Sequence, residues 1–166
     1  MKKFLIGALM MLAPLAMSAQ QKFGHFNSME IVPLMPEYVT AQSELQTLAK
    51  QYEDDIKRLQ DEYSRKLEEY QKEQANLLEN MRQRREQELL ELQQRIQQNL
   101  QDNQQAFQKA QAEKMQALSD KITQAVKQIG DAGGYVYIMD ISSGIPYVST
   151  KLSVDITAEL KKALGI

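Results

Sequence analysis

Glu44 to Tyr70 reads ELQTLAKQYEDDIKRLQDEYSRKLEEY, and its apolar residues recur at a fixed interval. Leu45, Leu48 and Tyr52 are followed eleven residues later by Ile56, Leu59 and Tyr63. Steps of three, four and four average about 3.67 residues per turn, close to the 3.6 of an α-helix. Apolar side chains therefore gather on one narrow face. The series continues through Leu67, Tyr70, Leu78, Met81, Leu89, Leu92, Ile96, Leu100, Phe107 and Leu118 to Ile122, Ala125 and Ile129. Gln74, Arg85, Asn103, Gln111 and Lys114 interrupt it. All seven glycines and four prolines lie outside 37–129, a stretch dense in Glu, Gln, Lys, Arg, Leu and Ala. These are strong helix formers, so long helices with a single apolar stripe are expected. Such a stripe must be covered by another helix to be stable in water.

A single rod over 37–129 would be about 140 Å long. The segments outside it read as strands: Lys22 to Asn27, Tyr135 to Ile141, and a shorter one from Ile145 to Ser149. They are rich in Tyr, Val, Ile and Phe and flanked by Gly130, Gly133, Gly134 and Gly144. A rod would keep Phe23 and Tyr137 at opposite ends. A helical hairpin brings them together and lets its halves cover each other's stripe. The polar midpoint near 80–86, where Arg82, Arg84 and Arg85 cluster, is the expected tip. The alternative is a parallel coiled coil whose strands pair only between chains.

The expected fold class is α+β, mostly α: a long helical-hairpin arm on a small β-body. Residues 20–36 give a first strand and a helical turn, with Asn27 or Ser28 as cap for Met29, Ile31 and Leu34. Pro33 and Pro36 suit a break or the first turn of the long helix. Residues 37–129 give the arm. Residues 130–166 give two strands and a closing helix, with Asp155 as N-cap and Gly165 as stop. So small a core is weak for one chain, and bare strand edges invite another copy. A sheet or barrel shared between subunits answers both problems. Phe23, Phe26, Tyr135, Tyr137, Ile138, Met139 and Tyr147 are the candidate oligomerisation residues.

Residues 1–19 read as a secretory leader. Lys2 and Lys3 precede an apolar run from Phe4 to Ala13, and small residues follow at Ala16, Ser18 and Ala19. The run is too short to span a bilayer, and cleavage is expected after Ser18 or Ala19. An exported protein of the periplasm is the expectation. The chain has no cysteine, which suits an oxidising compartment. Loss of Lys2 and Lys3 leaves 18 basic against 22 acidic residues, a charge of about −4 that argues against nucleic acid as partner.

Catalysis is not expected. His25 is the only histidine, so Cys–His pairs and multi-histidine metal sites are ruled out within one chain. Glu53, Asp54, Asp55, Glu68 and Glu69 have the spacing of solvated helix faces. There is no phosphate loop of the GxxxxGK[ST] type. Neither cofactor nor metal is expected.

Lys22 to Asn27 (KFGHFN) runs into Ser28-Met29-Glu30, Ala106-Phe107 precedes Ile122-Thr123-Gln124-Ala125-Val126-Lys127, and Tyr135 to Asp140 (YVYIMD), Tyr147 and Asp155-Ile156-Thr157-Ala158 follow. In these residues and in the order of the parts the chain resembles the Skp/OmpH family of periplasmic chaperones. His25, in what looks like an apolar first strand in the family, and the acidic balance are departures. The resemblance implies a jellyfish-like homotrimer whose three arms surround a cavity. It implies ATP-independent holding of unfolded outer-membrane β-barrel proteins and handover to the barrel-insertion machinery. Tyr52, Tyr63, Tyr70, Leu78, Met81 and Phe107 are then candidates for the inner surface, with inter-helix packing as the alternative. Arg82, Arg84 and Arg85 are candidates for client acidic groups or for weak membrane-surface contact at the tips, or form a merely solvated turn. A structural coiled-coil scaffold of the envelope is the competing function.

Overall fold

The computed structural model describes residues 21–166, so the expected leader and its cleavage point lie outside the described residues. The chain runs from strand β1 (Lys22–Phe26) through two 3-10 turns (Ser28–Glu30 and Val32–Leu34) into helix α1 (Pro36–Glu73). After a tight turn come helix α2 (Glu79–Gly133), strands β2 (Tyr135–Asp140) and β3 (Ser153–Asp155), and helix α3 (Thr157–Leu164).

Asn27 makes the first turn. Its side-chain oxygen accepts from the Met29 amide at 3.1 Å, while its own amide group donates to Glu30 at 2.9 Å. The two 3-10 turns point Ile31 and Met35 fully into the interior. Pro36 then opens α1 at the first helical position, where its missing N–H costs nothing.

The hairpin forms, and its tip lies earlier than 80–86. The helices are broken by a 3-10 turn at Gln74–Asn76 and by extended Leu77 and Leu78. Arg82, Arg84 and Arg85 are already inside α2. Glu79 sits in that helix's first turn, where a negative charge is favoured, and pairs with Arg82. The arginines are good helix formers and continue α2, so the break falls ahead of them, at Gln74–Leu78. Cross-helix partners fix the antiparallel register: Lys66 with Glu88, Tyr70 with Glu86, Glu44 with Lys114, Glu37 with Lys121. The midpoint of every pair falls between 77 and 79.

At 1.5 Å per residue the 38 residues of α1 make an arm about 57 Å long. Helix α2 is longer, 55 residues, and its last turns run into the body. It passes the expected boundary at 129 and stops at Gly134, whose φ of 65° is the left-handed cap glycine adopts freely.

The sheet has the order β2-β1-β3, all parallel. Parallel neighbours need a crossover connection, and the whole arm serves as that crossover between β1 and β2. The third strand is Ser153–Asp155, not the expected Ile145–Ser149. Pro146 cannot donate to a ladder, and 141–152 forms turns, with Ser149 accepting from the Ser153 amide at 3.0 Å. Helix α3 begins at Thr157, one residue later than expected. Asp155 still serves its start, accepting from the Thr157 amide at 2.9 Å.

The core joins the two chain ends to the root of the arm. Phe26, Ile31 and Met35 pack with Leu118, Ile122, Ala125 and Ile129 of α2 and with Ile156 and Leu160. The i, i+4, i+7 spacing of the α2 set is the last stretch of the apolar stripe, here covered by sheet, short helix and the first turn of α1.

Candidate functional site

Two surfaces emerge from this architecture: the seam along the arm and the outer face of the sheet. Within the arm, Ala41 and Leu92 are buried, while Leu45, Leu48, Tyr52, Ile56, Leu59, Tyr63, Leu67 and Tyr70 are half-buried. Two helices alone cover a stripe only partly. On α2 the inward positions are Leu89, Leu92, Ile96, Asn99, Asn103 and Phe107. Leu100, placed in the seam by the eleven-residue repeat, is instead 47% exposed beside it.

The predicted client-binding residues divide by this geometry. Tyr52, Tyr63, Tyr70 and Phe107 are half-buried along the seam. The Tyr70 hydroxyl donates to Glu86 at 2.5 Å, and that carboxylate holds the phenol above its ordinary range. Leu78, 74% exposed, and Met81 stand out at the tip. Arg82 pairs with Glu79, and Arg85 reaches Glu88 at 3.6 Å. Glu88 is held below the usual carboxylate range first by its bond to the Lys66 ammonium, with smaller help from Arg85 and Arg84. The arginines therefore sit among acids, and the tip is a mixed-charge surface with an apolar point.

The oligomerisation candidates also divide. Alternation along β1 turns Gly24 and Phe26 to the core and Phe23 and His25 to the other face. Phe26 is 7% exposed, and Ile138 and Tyr135 pack against the same cluster. These three belong to the protomer's own core, because the register pairs Ile138 with Gly24 on its inner side. Phe23 and Tyr137 stack on the outer face with centroids 4.7 Å apart. Met139, Tyr147 and Leu152 share a cleft of about 310 Å³ with them. Among the described residues both edges of the sheet, β2 and β3, are unpaired. Leu152 and Val136, both well exposed, were not singled out from the sequence.

His25 lies on this face, its Nδ1 2.8 Å from the Ser153 hydroxyl. On the core side, Asp140 accepts from the amides of Ser28 at 3.2 Å and Ser142 at 2.9 Å. Burial pushes its carboxyl up, but those bonds prevail and hold it below the usual range. Among the described residues no three metal-ligating side chains converge, and no helix is long and apolar enough to cross a membrane.

Residues 22–164 match the family described as "Outer membrane protein (OmpH-like)". The chain belongs to that family. Among solved structures it is similar to a Caulobacter crescentus protein described as a "putative outer membrane chaperone (OmpH-like)". The TM-score is 0.73 at 13% identity, over 88% of this chain and 85% of that one. At that identity the likeness is one of fold. No curated protein matches the sequence.

Proposed function

We propose that this OmpH-like protein is a holding chaperone of the periplasm. It binds unfolded outer-membrane β-barrel proteins without nucleotide and prevents their aggregation. The observation that carries this reading is the half-covered arm. More than 50 Å of paired helix leaves its apolar seam partly open to solvent instead of closing over it. Unfolded barrel strands expose alternate apolar side chains and unpaired backbone, and would otherwise associate with each other. An arm offering many weak contacts retains such a chain while leaving it free to depart.

Holding requires that the arm's surface face a client and not another copy's arm. A homotrimer joined through the outer face and free edges of the sheet meets that need. Phe23, Tyr137, Met139 and Tyr147 would be covered at the subunit contacts, and three arms would stand around a cavity. Leu78, Met81 and the three arginines would then lie at the open ends, where a membrane surface or the receiving barrel-insertion machinery is met.

The test is aggregation. A urea-unfolded outer-membrane β-barrel protein is diluted into buffer with and without the mature chain, in the absence of nucleotide, and light scattering is followed. Suppression at a fixed ratio of oligomer to client supports holding. Unchanged scattering at excess protein refutes it and leaves an envelope scaffold as the function.

A further inference from the structure

Between its two ion-paired ends the arm opens. Glu44–Lys114 closes it towards the body and Lys66–Glu88 towards the tip. In the antiparallel register between them, Ile56 and Leu59 of α1 stand level with Asn99 and Asn103 of α2. Two apolar residues thus face two carboxamides. Asn103 donates to Asn99 on its own helix at 2.8 Å and so does not bind the helices together. A cleft of about 450 Å³ results. Tyr52, Ile56 and Leu100 give it apolar walls, Gln60 and Asn103 supply carboxamides, and Glu53 and Lys57 add one charge of each sign.

We infer that this cleft is a subsite of the arm for one large apolar side chain of an extended, unfolded polypeptide. The inference rests on the holding reading and says where on the arm that hold is made. The lining itself describes the occupant. Its charges cancel, which suits an uncharged segment. Carboxamides offer both donors and acceptors, as the unpaired backbone of an extended strand requires. The volume admits an aromatic or leucine side chain with part of its backbone. A docking helix would need an apolar groove several turns long, whereas the lining of this cleft runs only from Tyr52 to Gln60 on α1, about two turns. In a β-barrel strand alternate side chains are apolar, so one inserts while its neighbours remain in solvent.

Two measurements test this on the intact oligomer with a urea-unfolded outer-membrane β-barrel protein as client. Asn99→Leu combined with Asn103→Leu zips the seam shut. The melting temperature should rise, and client affinity should fall about tenfold, the loss of one buried apolar side chain. A higher melting temperature with unchanged affinity overturns the inference. Independently, a photo-crosslinking benzoylphenylalanine is placed at Leu100 or at Leu90, which is 48% exposed on the same helix against 47%. Several-fold more client adduct from position 100 supports the subsite. Equal yields overturn it, whatever the double variant does. A wild-type protein that holds no client overturns the holding reading and this one with it.

Discussion

A single methyl group added to the middle strand should loosen the body while sparing the arm. Gly24 lies at the centre of β1 with its missing side chain aimed at the core. A Cβ there would stand 3.0 Å from Ile138 Cγ1 and 3.1 Å from the ring of Tyr135. Carbon atoms prefer about 3.5–4.0 Å, so β2's side chains must retreat by roughly half an ångström. They have little room, because Tyr135 is also pressed against Gly133 and sits under the Lys22 ammonium at 4.1 Å. Overpacking of this kind costs about 1–3 kcal/mol, and the reduced freedom of the unfolded chain returns about 0.4–1 kcal/mol. A net loss of about 1–2 kcal/mol follows for Gly24→Ala, a fall in melting temperature of about 3–8 °C for a domain of this size. The assay is thermal unfolding followed by near-ultraviolet circular dichroism. The chain has no tryptophan, so that signal comes chiefly from tyrosines such as Tyr135 and Tyr137. In an Ile138→Ala background the penalty should shrink but not vanish, since the nearest clashing atom is gone while the Tyr135 ring remains. A Gly24→Ala protein as stable as wild type, or an undiminished penalty in that background, would refute the packing described for the sheet.

Three further outcomes follow from the same contacts. Leu160→Ala removes a fully buried side chain from the core shared by α2 and α3 and should cost about 2–5 kcal/mol in chemical denaturation. Lys66→Met breaks a cross-helix pair that is partly solvated and should change stability by less than about 1 kcal/mol; a larger loss would mean the arm depends on its ions. Asp140 and Asp155 both have folded values below the ordinary carboxylate range, Asp155 chiefly through the Thr157 hydroxyl and amide. Their contribution is therefore present above the unfolded value near pH 4 and disappears as pH falls through the folded values. Acid unfolding of the body should flatten in Asp140→Asn, and an unaltered pH profile would contradict the assignment.

The arm was legible because its evidence is repeated many times over. Most turns from Leu45 to Ile129 restate the helical period, and no glycine or proline interrupts it. The tip was not legible, because strong helix formers lie on both sides of it. The chain turns at Gln74–Leu78 without a conventional breaker, and the register that decides this lies in pairs such as Lys66–Glu88 far apart in sequence. The third strand failed for a related reason. Ile145 to Ser149 has strand-like composition, but Pro146 spoils it, and Ser153–Asp155 wins through its register with Phe23 to His25. Leu100 shows the limit of periodicity itself: the seam steps onto Asn99 and Asn103, and the leucine turns aside. The cleft thus sits where the apolar repeat and the packed helix face disagree. Of the oligomerisation set, composition could not separate Phe26 and Ile138, which fill the protomer's own core, from Phe23 and Tyr137 on the outer face.

Native mass spectrometry of the mature chain, alone and after a urea-unfolded outer-membrane β-barrel protein is diluted into it without nucleotide, tests the central claim most directly. A trimer that gains the mass of one client and keeps that client from aggregating is the predicted result. An oligomer of any size that never acquires client mass, while the client precipitates beside it, would contradict the account.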